Sequence, residues 1–331
     1  MRRRRPLFIG VGLAIVGVGV WLASFPLQWW NFPAAELEAR YRRPPSQFLE
    51  VAGTRVHFTD EGRRDGPVIV LMHNDKGNLR IFDAWVPVLA DRYRLVRFDL
   101  PGYGLTGVVA NGDYSVEHDG EVIDALMRLL GISRFALVGT SVSAVSAFHF
   151  AAQHPDRVTA LVLANAGGLP RLPNQKLNVP PGNPLRRWIY RYYLPRSVFE
   201  QGIRNAFHDP SKIPGDFVEQ VYQLNNRKNR YQESARRFSS YMSTPAHAAE
   251  MLARVNAPVL LLWGRYSELD PSEADRFKQL LTASKLLEKK VYDDTGHAIF
   301  VEAAVRSASD VGEFVSRAVA MHRSDTVRGS D

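Results

Sequence analysis

The sequence predicts an α/β protein in which a mostly parallel central sheet is flanked by helices on both faces. Short apolar runs rich in Val, Ile and Leu recur along the chain and are typical of strands buried on both faces. Helix-like stretches separate the runs, and this alternation favours parallel strands. The 331 residues, 45% of them hydrophobic, suffice for such a core, while the absence of cysteine excludes disulfides and thiolate nucleophiles.

The predicted elements follow one another in a regular order. A two-strand start, QFLEVAGTRVHFTDEG, covers 47–62. Buried strands are predicted at 67–73, 93–99, 134–139, 158–164, 257–263 and 285–292. Helices are predicted at 81–92, 114–131, 142–154, 271–284 and 299–319.

The N-terminus predicts a transmembrane helix. Four arginines at 2–5 precede an uncharged run of 19 residues at 7–25, and a helix of that length reaches about 30 Å, roughly one bilayer core. The basic start favours a cytoplasmic N-terminus. We therefore expect a single-pass membrane anchor with the folded domain on the opposite, periplasmic or extracytoplasmic side. A cleaved signal peptide is the alternative.

The net charge of +8 is concentrated in the N-terminal arginines and in segment 171–245, which has 13 Lys or Arg and 5 Asp or Glu. The remaining chain is mildly acidic, which argues against a nucleic-acid partner. An insertion of this size between two strands indicates a helical cap over a site. The predicted organisation is an anchor at 1–30, a core at 45–170 and 246–322, a cap at 171–245 and a flexible tail at 323–331.

The segment GTSVS at 139–143 predicts a nucleophile elbow, because an apolar strand enters it and a helix leaves it. Such a turn needs small residues two positions either side of the nucleophile. Gly139 meets that need, and Ser143 replaces the usual second glycine. The elbow would expose Ser141 Oγ and direct the amide of Val142 at a developing oxyanion. The alternative is a plain turn in which Ser141 only caps the helix.

Several motifs together resemble the α/β-hydrolase superfamily. They are LMHN (71–74), RFDLPGYGLT (97–106), the elbow, LVLANAGG (161–168), LLLWGR (260–265) and DTGHAIFVE (294–302). The resemblance implies the α/β-hydrolase fold, the triad order Ser, acid, His, and neither a metal nor an organic cofactor. It also implies that His297, after the last strand, is the catalytic base.

The resemblance leaves the acid and the oxyanion loop open. The family's aspartate position, four residues after Trp263, is Ser267, which has no carboxylate. We expect Glu268 to orient the base, with Asp270 as the alternative acid, although Asp270 also suits the start of a helix. In the oxyanion loop Asn74 replaces a glycine, and the second donor would be the backbone amide of Asp75.

The leading hypothesis is a membrane-anchored serine hydrolase that cleaves a carboxylic ester or related acyl bond of a small acyl or aryl substrate. Ser141 would form the acyl-enzyme with His297 as base and Glu268 as acid, and Asp75 and Val142 would form the oxyanion hole. The departures from the family pattern motivate an alternative, a catalytically weak or inactive binding protein of the same fold at the membrane. Anionic-lipid or nucleic-acid binding by the cap is a third.

Overall fold

The computed structural model describes residues 5–170, 183–228 and 245–328. Its strands are β1 Gln47–Val51, β2 Thr54–Gly62, β3 Val68–Met72, β4 Arg94–Phe98, β5 Phe135–Thr140, β6 Val158–Ala164, β7 Val259–Gly264 and β8 Leu287–Tyr292. They form an eight-stranded sheet in the order β1-β2-β4-β3-β5-β6-β7-β8. β2 pairs antiparallel with β1 and β4, and the other pairings are parallel. The predicted mostly parallel sheet is confirmed.

Helices connect the parallel strands and extend beyond the sheet at both ends of the chain. They are α1 Arg5–Ser24, α2 Ala34–Tyr41, α3 Val86–Leu89, α4 Val116–Leu129, α5 Ser143–Gln153, α6 Pro184–Ile189, α7 Arg196–Ala206, α8 Phe217–Asn225, α9 Pro245–Arg254, α10 Ser272–Leu280, α11 Ile299–Glu302 and α12 Ala304–Arg328. Short 3-10 helices lie at Leu79–Phe82 and Pro210–Lys212. The tail expected from 323 falls partly on α12 and partly outside the described residues.

Alternate residues of the central strands face two helical layers. Along β3, Val70 and Met72 pack in one apolar cluster, and Ile69 and Leu71 pack in the other. The first cluster includes residues of α4, α5, α9 and α10, and the second includes residues of α3 and α12. All residues of β5 and β7 are buried. This two-sided cover explains why the strands are nearly continuous apolar runs in the sequence.

The predicted transmembrane helix, and with it the single-pass membrane location, is wrong. The apolar run forms α1, but no helix in the described parts of the chain combines the length and apolar character needed to cross a bilayer. The end of the run packs on protein instead. Phe25 is buried, and its ring contacts Trp30, Trp188 and Tyr193 at centroid separations of 6.2–6.5 Å.

The helices α6 to α8 lie between β6 and β7, inside the predicted cap, whose segments 171–182 and 229–244 fall outside the described residues. Asn225 of α8 donates a hydrogen bond to the carbonyl of Lys76, in the loop after β3 (2.8 Å). Ala206 of α7 accepts one from the amide of His297, after β8 (2.7 Å). Because both loops follow the carboxyl ends of parallel strands, the inserted helices sit at the edge of the sheet where ligands bind in open α/β proteins.

Candidate active site

Ser141 stands on a sharp turn between β5 and α5. Its φ of +54° lies in the left-handed region, which costs a serine free energy and is typical of functional turns. Gly139 makes the turn possible, because a Cβ there would lie 2.7 Å from both Ala144 Cα and Ala147 Cβ. The amide of Val142 follows at the start of α5, where helix amides lack an intrahelical acceptor.

Ser143, which stands where the elbow motif usually has a second glycine, also forms hydrogen bonds that a glycine cannot form. Its buried hydroxyl accepts a hydrogen bond from the amide of Thr140 (2.8 Å) and lies within donating distance of the carbonyls of Met72 and Thr140 (both 3.0 Å). The contact with Met72 joins the elbow to the end of β3, where the oxyanion loop begins. A glycine could not make this connection.

The oxyanion loop follows β3. His73 is buried, with Nδ1 2.8 Å from the carbonyl of Asn74 and Nε2 accepting from the amide of Leu100 (3.0 Å). These partners place the His73 proton on Nδ1. The residue of this loop in the left-handed region is Lys76 (φ +58°), and Asn74, which stands where relatives have glycine, is not left-handed.

The side chain of Asp75 has partners of its own beside the predicted oxyanion donor. Its carboxylate accepts a hydrogen bond from the hydroxyl of Tyr103 (2.7 Å) and forms an ion pair with Lys76 (3.1 Å). A carboxylate close to an oxyanion would repel it. Because the Asp75 carboxylate is paired with Tyr103 and Lys76, its repulsion of an oxyanion at the Asp75 amide is weaker.

His297 is held in the loop between β8 and α11. It is 4% exposed, and its carbonyl accepts a hydrogen bond from Asn165 Nδ2 (2.8 Å). Ring Nδ1 lies 2.9 Å from Ser267 Oγ. Burial lowers the pKa of His297, and the negative charge of Glu268 opposes part of that shift. In the described structure no hydrogen bond joins His297 to Ser141 Oγ, a separation common in unliganded sites.

Neither of the two predicted acids hydrogen-bonds to His297 in the described structure. Glu268 is exposed and acts on the imidazole through its charge. Asp270 is also exposed, and its carboxylate accepts a hydrogen bond from the amide of Ser272 (2.8 Å) at the start of α10, which lowers its pKa. The direct partner is Ser267, which our sequence reasoning set aside for lacking a carboxylate. Its place four residues after Trp263 was the available signal.

A second buried histidine has the carboxylate that His297 lacks. His57 Nδ1 lies 2.7 Å from Asp99 Oδ2, and His57 Nε2 lies 2.8 Å from Ser46 Oγ. Asp99 also accepts hydrogen bonds from the amides of Leu79 and Leu105 (2.7 and 2.8 Å). Burial acts to raise the pKa of Asp99, but the charge and hydrogen bond of His57 hold it below its ordinary value.

The surroundings add two observations. A cleft of about 280 Å³ lies apart from Ser141 and His297, lined by Pro44, Pro45, Thr59, Glu61, Arg80, Asp83, Val86, Pro87 and Arg97. The charge of Arg97 there is already paired with Glu61 and Asp83 (both 2.6 Å). Among the described residues, no cluster of three or more His, Cys, Asp or Glu side chains is arranged to hold a metal ion.

Known proteins resemble this chain in sequence. A family profile described as alpha/beta hydrolase fold matches residues 67–304. The chain is 24% identical over 278 residues to an uncharacterised hydrolase of Saccharomyces cerevisiae, covering 78% of this chain and 92% of that protein. It is 26% identical over 268 residues to the 2-hydroxy-6-oxononadienedioate/2-hydroxy-6-oxononatrienedioate hydrolase of Escherichia coli, covering 76% and 89%.

The fold is likewise shared with solved structures. A thermophilic esterase from Thermogutta terrifontis superposes with a TM-score of 0.67 and 21% identity, covering 82% of this chain and 99% of that one. The two sequence relatives are named as hydrolases, which supports hydrolase activity here. The matched profile spans more than half of the chain and includes both Ser141 and His297, and this chain therefore belongs to the alpha/beta hydrolase fold family.

Proposed function

We propose that this protein is a serine hydrolase that cleaves a carboxylic ester or related acyl bond through an acyl-enzyme on Ser141. The observation that carries the proposal is the left-handed Ser141 on its elbow (φ +54°), at the same edge of the sheet as the loop that holds His297. A strained serine between a buried strand and a helix N-terminus is the arrangement of a nucleophile elbow, which exposes the serine Oγ for attack.

The proposed reaction has two halves. Ser141 Oγ attacks the carbonyl carbon while its proton moves to His297 Nε2, and the carbonyl electron pair becomes an oxyanion held by the amides of Val142 and Asp75. Collapse of the intermediate expels the alcohol, which takes the proton from His297, and leaves an ester on Ser141. Water then attacks that ester with His297 again as base, releasing the acid and restoring Ser141.

The substrate class we propose is a small acyl or aryl ester. Aromatic side chains of α6, α8 and the loop after α6 lie together. Tyr193 and Tyr222 are joined through their hydroxyls (2.9 Å), and Trp188 packs edge-on against Tyr192. Such side chains offer apolar surface with polar ends, which suits an ester with an apolar acyl or aryl group.

Labelling with a fluorophosphonate tests the nucleophile. The wild-type protein should become covalently labelled, and Ser141→Ala should not. Ser46→Ala is a matched control, because it removes a serine hydroxyl that contacts the other buried histidine, His57, away from the elbow, and it should label like wild type. Persistent labelling of Ser141→Ala, or an unlabelled wild type, contradicts the proposal.

The second candidate is an inactive binding protein of the same fold. Its support is the neutral Ser267 at His297 Nδ1, where a carboxylate would stabilise the imidazolium. A panel of aryl and alkyl esters separates the two. Turnover that is lost in both Ser141→Ala and His297→Ala excludes the inactive protein, and no turnover together with no labelling supports it.

A further inference from the structure

We propose that the two tasks of a triad carboxylate are divided here between neighbouring residues: Ser267 orients the imidazole of His297, and Glu268 stabilises its charged form from the surface. The inference rests on the proposed function, because it assigns the positioning groups of that same base. It concerns chemistry that a single aspartate or glutamate otherwise performs.

Ser267 is held firmly enough to orient a ring. Its amide donates to the carbonyl of Gly264 (3.1 Å), and its hydroxyl accepts from the amide of Leu269 (3.2 Å). Trp263 Nε1 fixes the same loop by donating to the carbonyl of Leu269 (2.8 Å). The hydroxyl therefore meets His297 Nδ1 from a fixed position, 2.9 Å away.

A hydroxyl orients the ring without fixing its proton. Ser267 Oγ has one acceptor position engaged by Leu269, which leaves its own proton and a second lone pair for His297. If it accepts from Nδ1–H, then Nε2 is free to act as base. If it donates to Nδ1, the proton of a neutral imidazole lies on Nε2, and that tautomer cannot accept from Ser141. A carboxylate only accepts, so it would select the first tautomer.

Glu268 supplies the charge that the hydroxyl lacks. It is the next residue along the chain, exposed, and in the described part of the structure it forms neither an ion pair nor a hydrogen bond. Its charge raises the pKa of His297 against the effect of burial. Because Glu268 directly follows the residue that contacts His297 Nδ1, its negative charge favours the imidazolium formed when Ser141 loses its proton.

The other charged groups around the His297 loop have partners of their own. Glu302 accepts from the amides of Gly296 and Asp209 (2.7 and 2.8 Å). Asp293 pairs with Arg265, Asp294 pairs with Arg306, Asp270 binds the amide of Ser272, and His208 stacks on Tyr266. This leaves Glu268 as the carboxylate we assign to the charge of the base.

The variants Ser267→Ala, Ser267→Asp and Glu268→Gln separate the two tasks. Each is compared with wild type by the pH dependence of fluorophosphonate labelling, and by 15N NMR of the His297 ring, which reports tautomer and pKa. Asp91→Asn is the control, since it removes an exposed carboxylate in the turn between α3 and β4. Thermal unfolding verifies that each variant is folded.

We expect Ser267→Ala to lower the labelling rate about tenfold, because it removes one hydrogen bond that orients His297. The acid limb of the pH–rate profile should move little. Glu268→Gln should lower the pKa of His297. The acid limb of the labelling-rate profile then moves to lower pH, and the rate on the high-pH plateau falls. Ser267→Asp should raise the pKa of His297, so the acid limb moves to higher pH and the plateau rate rises. In the Ser267→Asp background, adding Glu268→Gln should change the labelling profile very little. Asp91→Asn should change neither readout.

Each contrary outcome has a definite meaning. An unchanged plateau and tautomer in Ser267→Ala, or an unmoved limb in Glu268→Gln, overturns the division of tasks. Failure of the proposed function gives a different result, because no variant is labelled at Ser141. The NMR titration then still shows whether Ser267 and Glu268 act on His297.

Discussion

Two buried histidines of this chain are held by opposite chemistry. His57 lies between the Asp99 carboxylate and the Ser46 hydroxyl, whereas the partner of His297 Nδ1 is the neutral hydroxyl of Ser267. The hydrogen-bond pattern at His57 is the more complete copy of a catalytic triad. It lies away from the strained serine, however, and its aspartate binds the amides of two loops.

The comparison shows that a serine–histidine–aspartate contact does not by itself mark an active site. The ionised Asp99 is used where the fold must hold two loops and a strand together. The elbow and the candidate base are instead held by hydroxyls, the elbow by Ser143 and His297 by Ser267. We interpret the His57–Asp99 contact as a charged pair that supports the fold, set apart from a site whose histidine hydrogen-bonds a neutral hydroxyl.

Loss of the His297 imidazole should have the largest effect on the labelling rate. His297→Gln should lower the fluorophosphonate labelling rate by about 10²- to 10⁴-fold, since a general base contributes that much. His154→Gln, at the end of α5, should leave the rate unchanged. Equal rates in the two variants would place the base elsewhere.

Removal of Asp99 should have the largest effect on stability. Asp99→Ala leaves His57 and the amides of Leu79 and Leu105 without their buried acceptor, and we expect the free energy of unfolding to fall by about 3–5 kcal/mol. Urea denaturation measures this. Ser46→Ala removes only the far hydroxyl of the same network and should cost about 1 kcal/mol. Similar losses in both variants would show that the carboxylate is not the centre of the network.

The hydroxyl-held elbow should respond more weakly. Ser143→Ala deprives the buried amide of Thr140 of its acceptor, and the free energy of unfolding should fall by about 1–3 kcal/mol. Ser211→Ala, an exposed hydroxyl bound to Asp209, should change it by about 0.5 kcal/mol or less. If Ser143→Ala is as silent as this control, the connection to β3 adds nothing to stability.

The smallest expected effects are on the pH dependence of the free energy of unfolding, to which His297 and Asp99 contribute in different pH ranges. The folded pKa of His297 is lowered, so its contribution is complete above the unfolded value near about 6.5 and is lost as pH falls. The folded pKa of Asp99 is also lowered, so its contribution disappears only below about pH 3.9. Urea unfolding across pH measures both contributions. In His297→Gln the free energy of unfolding should no longer change in the window of His297, and in Asp99→Asn it should no longer change in the window of Asp99.

The sequence predicted the parallel sheet because strands covered on both faces become continuous apolar runs. It also identified the serine and the histidine after the last strand, which are marked by local motifs. The contact of Ser267 with His297 depends on two loops that are 30 residues apart in the chain, and the exposure of Glu268 depends on how its loop turns. The apolar run at 7–25 misled our prediction, because composition alone does not record that Phe25 packs on the folded domain.

The last turn of α7 has a consequence for exchanging parts between relatives. Its terminal residue, Ala206, accepts hydrogen bonds from the amides of both His297 and Ala298 (2.7 and 3.3 Å). A Cβ on Gly296 would lie 2.5 Å from the same carbonyl oxygen. The inserted helices are therefore not an independent module: a chimaera that grafts them from another hydrolase must also supply this acceptor, or it will displace the imidazole.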